Sequence, residues 1–246
     1  MFIDDDGIRL SASLEMPEGN PDKCPLFIVI HGFTSNKDRP HTLAACQAMR
    51  DAGFATLRAD MYGHGESGGE FRNHTLFKWI SNIMTLIDYA RKLDFVTEIW
   101  LSGHSQGGLA AALVAGMEPD RISGLILRAP AFMIPDGARS GKMLGGSFDP
   151  ENVPDLVPSI KNLTLSGNYL RVAQCIHVED AINRFHGPVL ILHGGEDNLV
   201  PISCSENAAK SYRNCELTVI PGESHSFEFH RDRMQDIIRR WLMSRS

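Results

Sequence analysis

Positive charge is scarce in this 246-residue chain: 24 lysines and arginines stand against 30 aspartates and glutamates, a formal net charge of −6. Nothing in that balance resembles the basic stripe needed to hold a phosphate backbone, so no nucleic-acid partner is expected. The longest acidic run is Asp4-Asp5-Asp6, which reads as a solvated turn. Long apolar runs are missing too. None approaches the roughly 18–20 residues that a membrane span requires, so no membrane association is expected. The start, Met1-Phe2-Ile3-Asp4, lacks a cationic leader followed by an apolar stretch and reads as non-secretory. Cysteine is sparse: Cys24, Cys46, Cys175, Cys204 and Cys215 are odd in number and widely scattered. That argues against a disulfide framework and a structural zinc site, fits a reducing compartment, and makes cytoplasmic the expected location. The histidines show no H-E-x-x-H or comparable spacing, so neither metal nor other cofactor is expected. Internal repeats and low-complexity tracts are absent.

What remains is an ordinary globular composition, 43% hydrophobic and 22% charged, at a length that suits a single domain 1–246 carrying an insertion. Phe2-Ile3 and Ile8 to Met16 flank Asp4-Asp5-Asp6-Gly7 and predict an opening hairpin. After it, strands at 26–30, 54–58, 98–102, 123–129, 188–192 and 216–220 alternate with helices at 41–52, 75–93, 105–116, 203–213 and 231–243. This rhythm predicts an α/β fold, a mostly parallel sheet flanked by helices. It breaks once, between Pro130 and Pro188, in a stretch rich in Gly, Pro and Asn with only a helical fragment at 178–185. Such a stretch is too long for a plain loop. Residues 131–187 therefore read as an inserted cap over the carboxyl ends of the strands, where such sheets place ligands.

The sharpest motif is Gly103-His104-Ser105-Gln106-Gly107-Gly108, between a strand and a helix. Glycines two before and two after a serine let the backbone turn abruptly from strand to helix, leaving the hydroxyl projecting above the sheet. The helix that starts there aims free N–H groups and its positive end at the same spot. That geometry serves acyl transfer, with Ser105 as nucleophile. The acid and the base are then expected further along, each just after a strand. Strand 189–192 runs into His193-Gly194-Gly195-Glu196-Asp197, and strand 217–220 into Pro221-Gly222-Glu223-Ser224-His225. Asp197 would orient the imidazole and His225 would shuttle the proton. Glu196, His193 and His230 are neighbouring competitors. The early strand ends in His31-Gly32-Phe33-Thr34, which assigns the oxyanion hole to the main-chain N–H groups of Phe33 and Gln106.

Two motifs are set aside. Gly63-His64-Gly65-Glu66-Ser67-Gly68 matches a dinucleotide fingerprint, but no helix opens on it, and Asp60 and Glu66 would repel a pyrophosphate. Asn162-Leu163-Thr164 fits a glycosylation acceptor without a secretory context.

Together these residues resemble the α/β-hydrolase superfamily over essentially the whole chain. Four segments are similar to bacterial cinnamoyl (feruloyl) esterases: 31–34, Arg58-Ala59-Asp60-Met61-Tyr62-Gly63-His64-Gly65, the serine motif, and Asn168-Tyr169-Leu170-Arg171-Val172-Ala173-Gln174. The resemblance implies a small-molecule ester substrate, a hydroxycinnamate whose aromatic acyl group sits under the cap. It further implies that Asp136 bonds the phenolic hydroxyl and that Tyr169 lines the same pocket. The cap has no tryptophan, and Met143 stands where some relatives carry a polar side chain. Rival readings are an acylglycerol lipase, a thioesterase, a small peptidase, or a binding protein on the same fold that does not turn over. A homodimer through an exposed apolar face is a further possibility.

Overall fold

The computed structural model describes residues 1–143, 145–158 and 163–245; Asn162 lies outside them. The hairpin pairs β1 (Phe2–Asp5) with β2 (Ile8–Glu15) through Asp6 and Gly7, both at positive φ. β3 (Cys24–Ile30) is the apolar run that the sheet buries on both faces. α1 (Pro40–Asp51) opens with proline in the first turn, where no N–H is needed, and stops before Gly53 at φ 88°. β4 (Ala55–Ala59) leads through a glycine-rich loop to α2 (Leu76–Ala90). The Thr75 side chain caps α2 by accepting from the Lys78 N–H at 3.2 Å. β5 (Val96–His104) runs two residues past its expected end because β3 and β6 (Gly124–Arg128) flank it, pairing Gly103 with Ile30 and His104 with Arg128. Between β5 and β6 lies α3 (Gln106–Met117), whose residues 106–116 are all buried.

The expected break in rhythm after β6 holds more regular structure than the sequence revealed. It contains α4 (Ile134–Ser140), the short pairs β7 (Lys142–Met143) with β8 (Gly146–Ser147) and β9 (Leu156–Pro158) with β10 (Thr164–Ser166), α5 (Asn168–Gln174) and α6 (Val178–Arg184). The chain then re-enters the sheet as β11 (Val189–Gly194), α7 (Ile202–Ser211), β12 (Cys215–Ile220) and α8 (Arg231–Met243).

The main sheet has eight strands in the order β1-β2-β4-β3-β5-β6-β11-β12, parallel from β4 onward. α1 and α8 cover one face around Phe27, Met49, Trp100 and Trp241; α2, α3 and α6 cover the other. From β3 the chain steps outward to β4, then crosses back to β5 on the opposite side. Loops leaving β3 and β5 therefore diverge and open a crevice at their carboxyl ends, the place where open α/β sheets bind ligands.

Candidate active site

Ser105 occupies that crevice, between β5 and α3. Its backbone sits at φ 54°, ψ −120°, a conformation that costs a non-glycine residue about 1–3 kcal/mol and persists only when the surroundings impose it. They do. The Ser105 N–H donates to the Arg128 carbonyl at 2.9 Å, and the Ser105 carbonyl accepts from Leu109 and Ala131 at 3.1 and 3.0 Å. A Cβ on Gly103 would lie 2.2 Å from the Gly107 carbonyl oxygen, and one on Gly107 would lie 2.2 Å from that of His31. Both glycines are therefore required by close approach.

His225 follows β12 and Asp197 follows β11. His225 Nδ1 lies 2.7 Å from Asp197 Oδ2. A carboxylate can only accept here, so Nδ1 carries the proton and Nε2 is left free on the cavity side. Asp197 Oδ1 accepts from the Leu199 and Val200 amides, both at 2.9 Å. Burial pushes this carboxyl up, but the His225 ring and the two amides outweigh it and hold its pKa below the usual value. The competitors are placed otherwise. Glu196 and His230 are exposed, while His193 bonds Ser205 Oγ at 2.7 Å and the Val200 carbonyl at 3.1 Å and is wholly buried, its Nε2 3.4 Å from Asp197 Oδ2, farther than His225 Nδ1.

The loop that carries His225 is stitched by a residue the sequence reading passed over. Glu223 is fully buried and accepts from the N–H groups of Ser224, Phe229 and His230 and from Ser224 Oγ. His104 is a second such residue. Its Nε2 donates to the His225 carbonyl at 2.8 Å, and its Nδ1 faces Gly32. Behind it, the wholly buried Arg128 donates through Nη1 to His41 Nδ1 and to the His41 carbonyl, each at 3.1 Å. Burial lowers this guanidinium to about 10.

The turn after β3 puts Phe33 and Thr34 (φ 55°) at its corner, closed by Ser35 N–H to the Gly32 carbonyl at 3.2 Å. Among the described residues the N–H groups of Phe33 and Gln106 have no protein acceptor, and both residues line the cavity beside Ser105. The glycine-rich 63–68 segment braces this turn from behind. Asp60 accepts from the Lys37 amide at 2.7 Å, Lys37 Nζ at 3.1 Å and the Glu66 amide at 3.0 Å. A Cβ on Gly65 would strike the Asp60 carboxylate at 2.2 Å, so that carboxylate fills the space the glycine leaves.

The cavity over Ser105 holds about 950 Å³. Met133, Ile134, Met143 and Tyr169 from the segment between β6 and β11 give it an apolar wall. Tyr169 is 1% exposed, and its hydroxyl donates to Gln106 Oε1 at 2.7 Å. Asp136 does not join them. It lies on the outer side of α4, its side chain 78% exposed and paired with Arg139 at 2.6 Å, and it is not on the cavity wall. The expected bond from Asp136 to a phenolic hydroxyl is not offered by this geometry. Among the described residues no cluster of three or more His, Cys, Asp or Glu side chains could hold a metal ion, and no helix is long and apolar enough to cross a membrane.

Comparisons with known proteins agree with this architecture. Residues 21–174 match the family Hydrolase_4, described as serine aminopeptidase S33. The structure of Est1E from Butyrivibrio proteoclasticus with ferulic acid bound superposes with a TM-score of 0.97 at 50% identity, covering 99% of this chain and 98% of that one. The mouse monoglyceride lipase is 25% identical over 257 residues, 94% of this chain and 84% of its own length. Human protein ABHD12B is 26% identical over 214 residues, 82% of this chain, and the match spans 56% of the human protein.

Proposed function

The chain belongs to the Hydrolase_4 family of α/β-hydrolases, and from that premise we propose that it hydrolyses carboxylic esters of hydroxycinnamic acids and simple short-chain or aryl esters. Ser105 is the nucleophile. His225 Nε2 removes its proton as it attacks the ester carbonyl, and Asp197 holds the ring in the productive tautomer and stabilises its charged form. The Phe33 and Gln106 N–H groups receive the oxyanion. His225 returns the proton to the leaving alcohol, and water then releases the acid from Ser105. Residues 131–187 act as a cap whose apolar wall, with Tyr169 in it, takes the aromatic acyl group.

The observation that carries this reading is the Asp197–His225 bond at 2.7 Å in a cavity shared with a strained Ser105, on a chain half identical to one solved with ferulic acid. Five free cysteines support a reducing, cytoplasmic setting. The family description also makes a peptide amide a necessary comparison. A fluorophosphonate should label Ser105 stoichiometrically, and Ser105→Ala should lower kcat on methyl ferulate by about 10³–10⁶-fold while the protein stays folded. A panel of methyl ferulate, a p-nitrophenyl ester, tributyrin, an acyl thioester and a peptide amide ranks the substrates. Near-native turnover by Ser105→Ala, or no adduct at Ser105, would sink the mechanism; a peptide amide cleaved best would move the substrate class.

A further inference from the structure

From the inserted segment, Tyr169 reaches both proposed oxyanion donors. Its hydroxyl donates to Gln106 Oε1 at 2.7 Å, and its ring centroid lies 6.0 Å from that of Phe33. Gln106 is wholly buried, and among the described residues its side chain has no hydrogen-bond partner besides Tyr169. Burial pushes the pKa of the Tyr169 hydroxyl up, so at neutral pH it keeps its proton and donates. The Phe33 ring also packs on Phe71 at 5.5 Å and on His74 at 5.4 Å, and His74 in turn lies 5.1 Å from Tyr169.

The peptide between Ser105 and Gln106 is thus gripped by the inserted segment at two points. A peptide unit is planar, so whatever fixes the Ser105 carbonyl also aims the Gln106 N–H. That carbonyl accepts from the Ala131 N–H at 3.0 Å, at the start of the segment, while the Gln106 side chain accepts from Tyr169 in α5. No side chain caps α3 at this end, so its first turn leans on these outside contacts. α5 is a firm support for them. Gln174 Nε2 donates to the Ala138 and Pro150 carbonyls at 3.2 and 2.9 Å, and Arg171 Nη2 donates to the Val153 carbonyl at 2.6 Å. Holding the donors still matters, because misplacing catalytic groups by about 1 Å costs up to about 10²-fold in rate.

Resting on the ester-hydrolase reading above, we infer that Tyr169 is a positioning residue for the oxyanion hole: its hydroxyl on Gln106 and its ring on Phe33 set the spacing of the two main-chain donors. The inserted segment then serves the reaction of every ester, including those whose acyl group is too small to touch the apolar wall. A residue that only lined the acyl pocket would matter for aromatic acyl groups and leave small ones alone. The two roles therefore separate by the size of the acyl group.

The test compares Tyr169→Phe with the wild-type protein on p-nitrophenyl acetate and on methyl ferulate. The variant keeps the ring and leaves Gln106 Oε1 buried and unpaired. Its kcat should fall about tenfold on both esters, with KM for the acetate ester unchanged. Inhibition by trifluoroacetone, whose carbonyl forms a tetrahedral adduct with a nucleophilic serine, should weaken by the same factor. That constant is read from folded molecules alone, so partial unfolding does not imitate it. Gln106→Leu should lose a similar factor. The double variant Tyr169→Phe/Gln106→Leu should lose no more than either single one, because an apolar pair leaves no polar group unpaired. A loss confined to methyl ferulate, unchanged inhibition by trifluoroacetone, or losses that multiply in the double variant would overturn the inference. The wild-type protein tells the failures apart. If it turns over both esters, only this inference falls; if it turns over neither, the ester-hydrolase reading falls with it.

Discussion

Next to Ser105, His104 gives its Nε2 proton to the His225 carbonyl at 2.8 Å, and its ring packs 4.7 Å from that of His225 and 4.5 Å from that of His41. Burial, then the nearby His41, His225 and Arg128 charges, hold its pKa well below the ordinary histidine value. It thus stays neutral, which matters because a cation there would oppose the charge that His225 takes up in the proposed mechanism. His104 acts as a positioning residue through the backbone of residue 225. His104→Leu removes the donor and leaves a buried carbonyl unpaired, whereas the amide of His104→Gln can still donate. On methyl ferulate the Leu variant should lose about tenfold or more in kcat with KM little changed, and the Gln variant should recover much of it. Equal kinetics in the two variants would reduce His104 to a space-filling role.

The sharp turn from β5 into α3 at Ser105 is a property of two elements meeting rather than of one residue. α3 has no polar face and is buried along residues 106–116, so the helix can approach β3 and β5 only if its first turn is bare. Gly107→Ala would drive a Cβ to 2.2 Å from the His31 carbonyl, backbone against backbone with no flexible side chain to yield. We expect a loss of about 2–4 kcal/mol, read as a fall in Tm with a parallel fall in kcat as Ser105 and the Phe33 turn separate. An unchanged Tm would show that α3 can retreat without cost.

The same elements show what could be read from the chain alone. The proposed triad Ser105, Asp197 and His225 could be put forward from the chain because each sits in a glycine turn directly after a strongly apolar strand, a local signal. Glu223, His104 and the Lys37–Asp60 brace were not, because their meaning lies in partners brought together only by the sheet. α4 and α5 were missed because each has seven residues, too few for helical periodicity to emerge from a stretch rich in glycine and proline. Asp136 illustrates a further limit: resemblance gave its position in the chain but not its side of α4, where Ile134 and Gly137 face the cavity and Asp136 faces out.

At the scale of the whole molecule the buried histidines set its acid tolerance. Burial first, aided by neighbouring positive charge, lowers His31 to about 3, His74 to about 3 and His41 to about 2, with His104 well below its ordinary value. An unfolded chain titrates such groups near 6.5. Above that pH neither state is charged at these sites and they leave stability untouched. As pH falls below it, the unfolded chain takes up protons that the folded chain excludes, so stability declines until the folded values are reached. Burial lowers His64 and His193 as well, and each such proton is worth up to about 1.4 kcal/mol per pH unit. Asp197 and Glu223, both lowered, act at still lower pH: their stabilisation is lost only as pH drops through their depressed folded values. Against a typical domain stability of about 5–15 kcal/mol, the histidines alone should unfold the protein between roughly pH 4 and 5.5. Tm followed from pH 8 to 4 should be flat above about pH 6.5 and then fall steeply. His74→Phe, at a site already ringed by Phe33, Phe71, Tyr169 and Trp79, removes one of these protons and should make the acid slope shallower. A Tm that holds to pH 4.5, or a slope that His74→Phe does not change, would mean that the fold opens to water around these rings before it pays to exclude their protons.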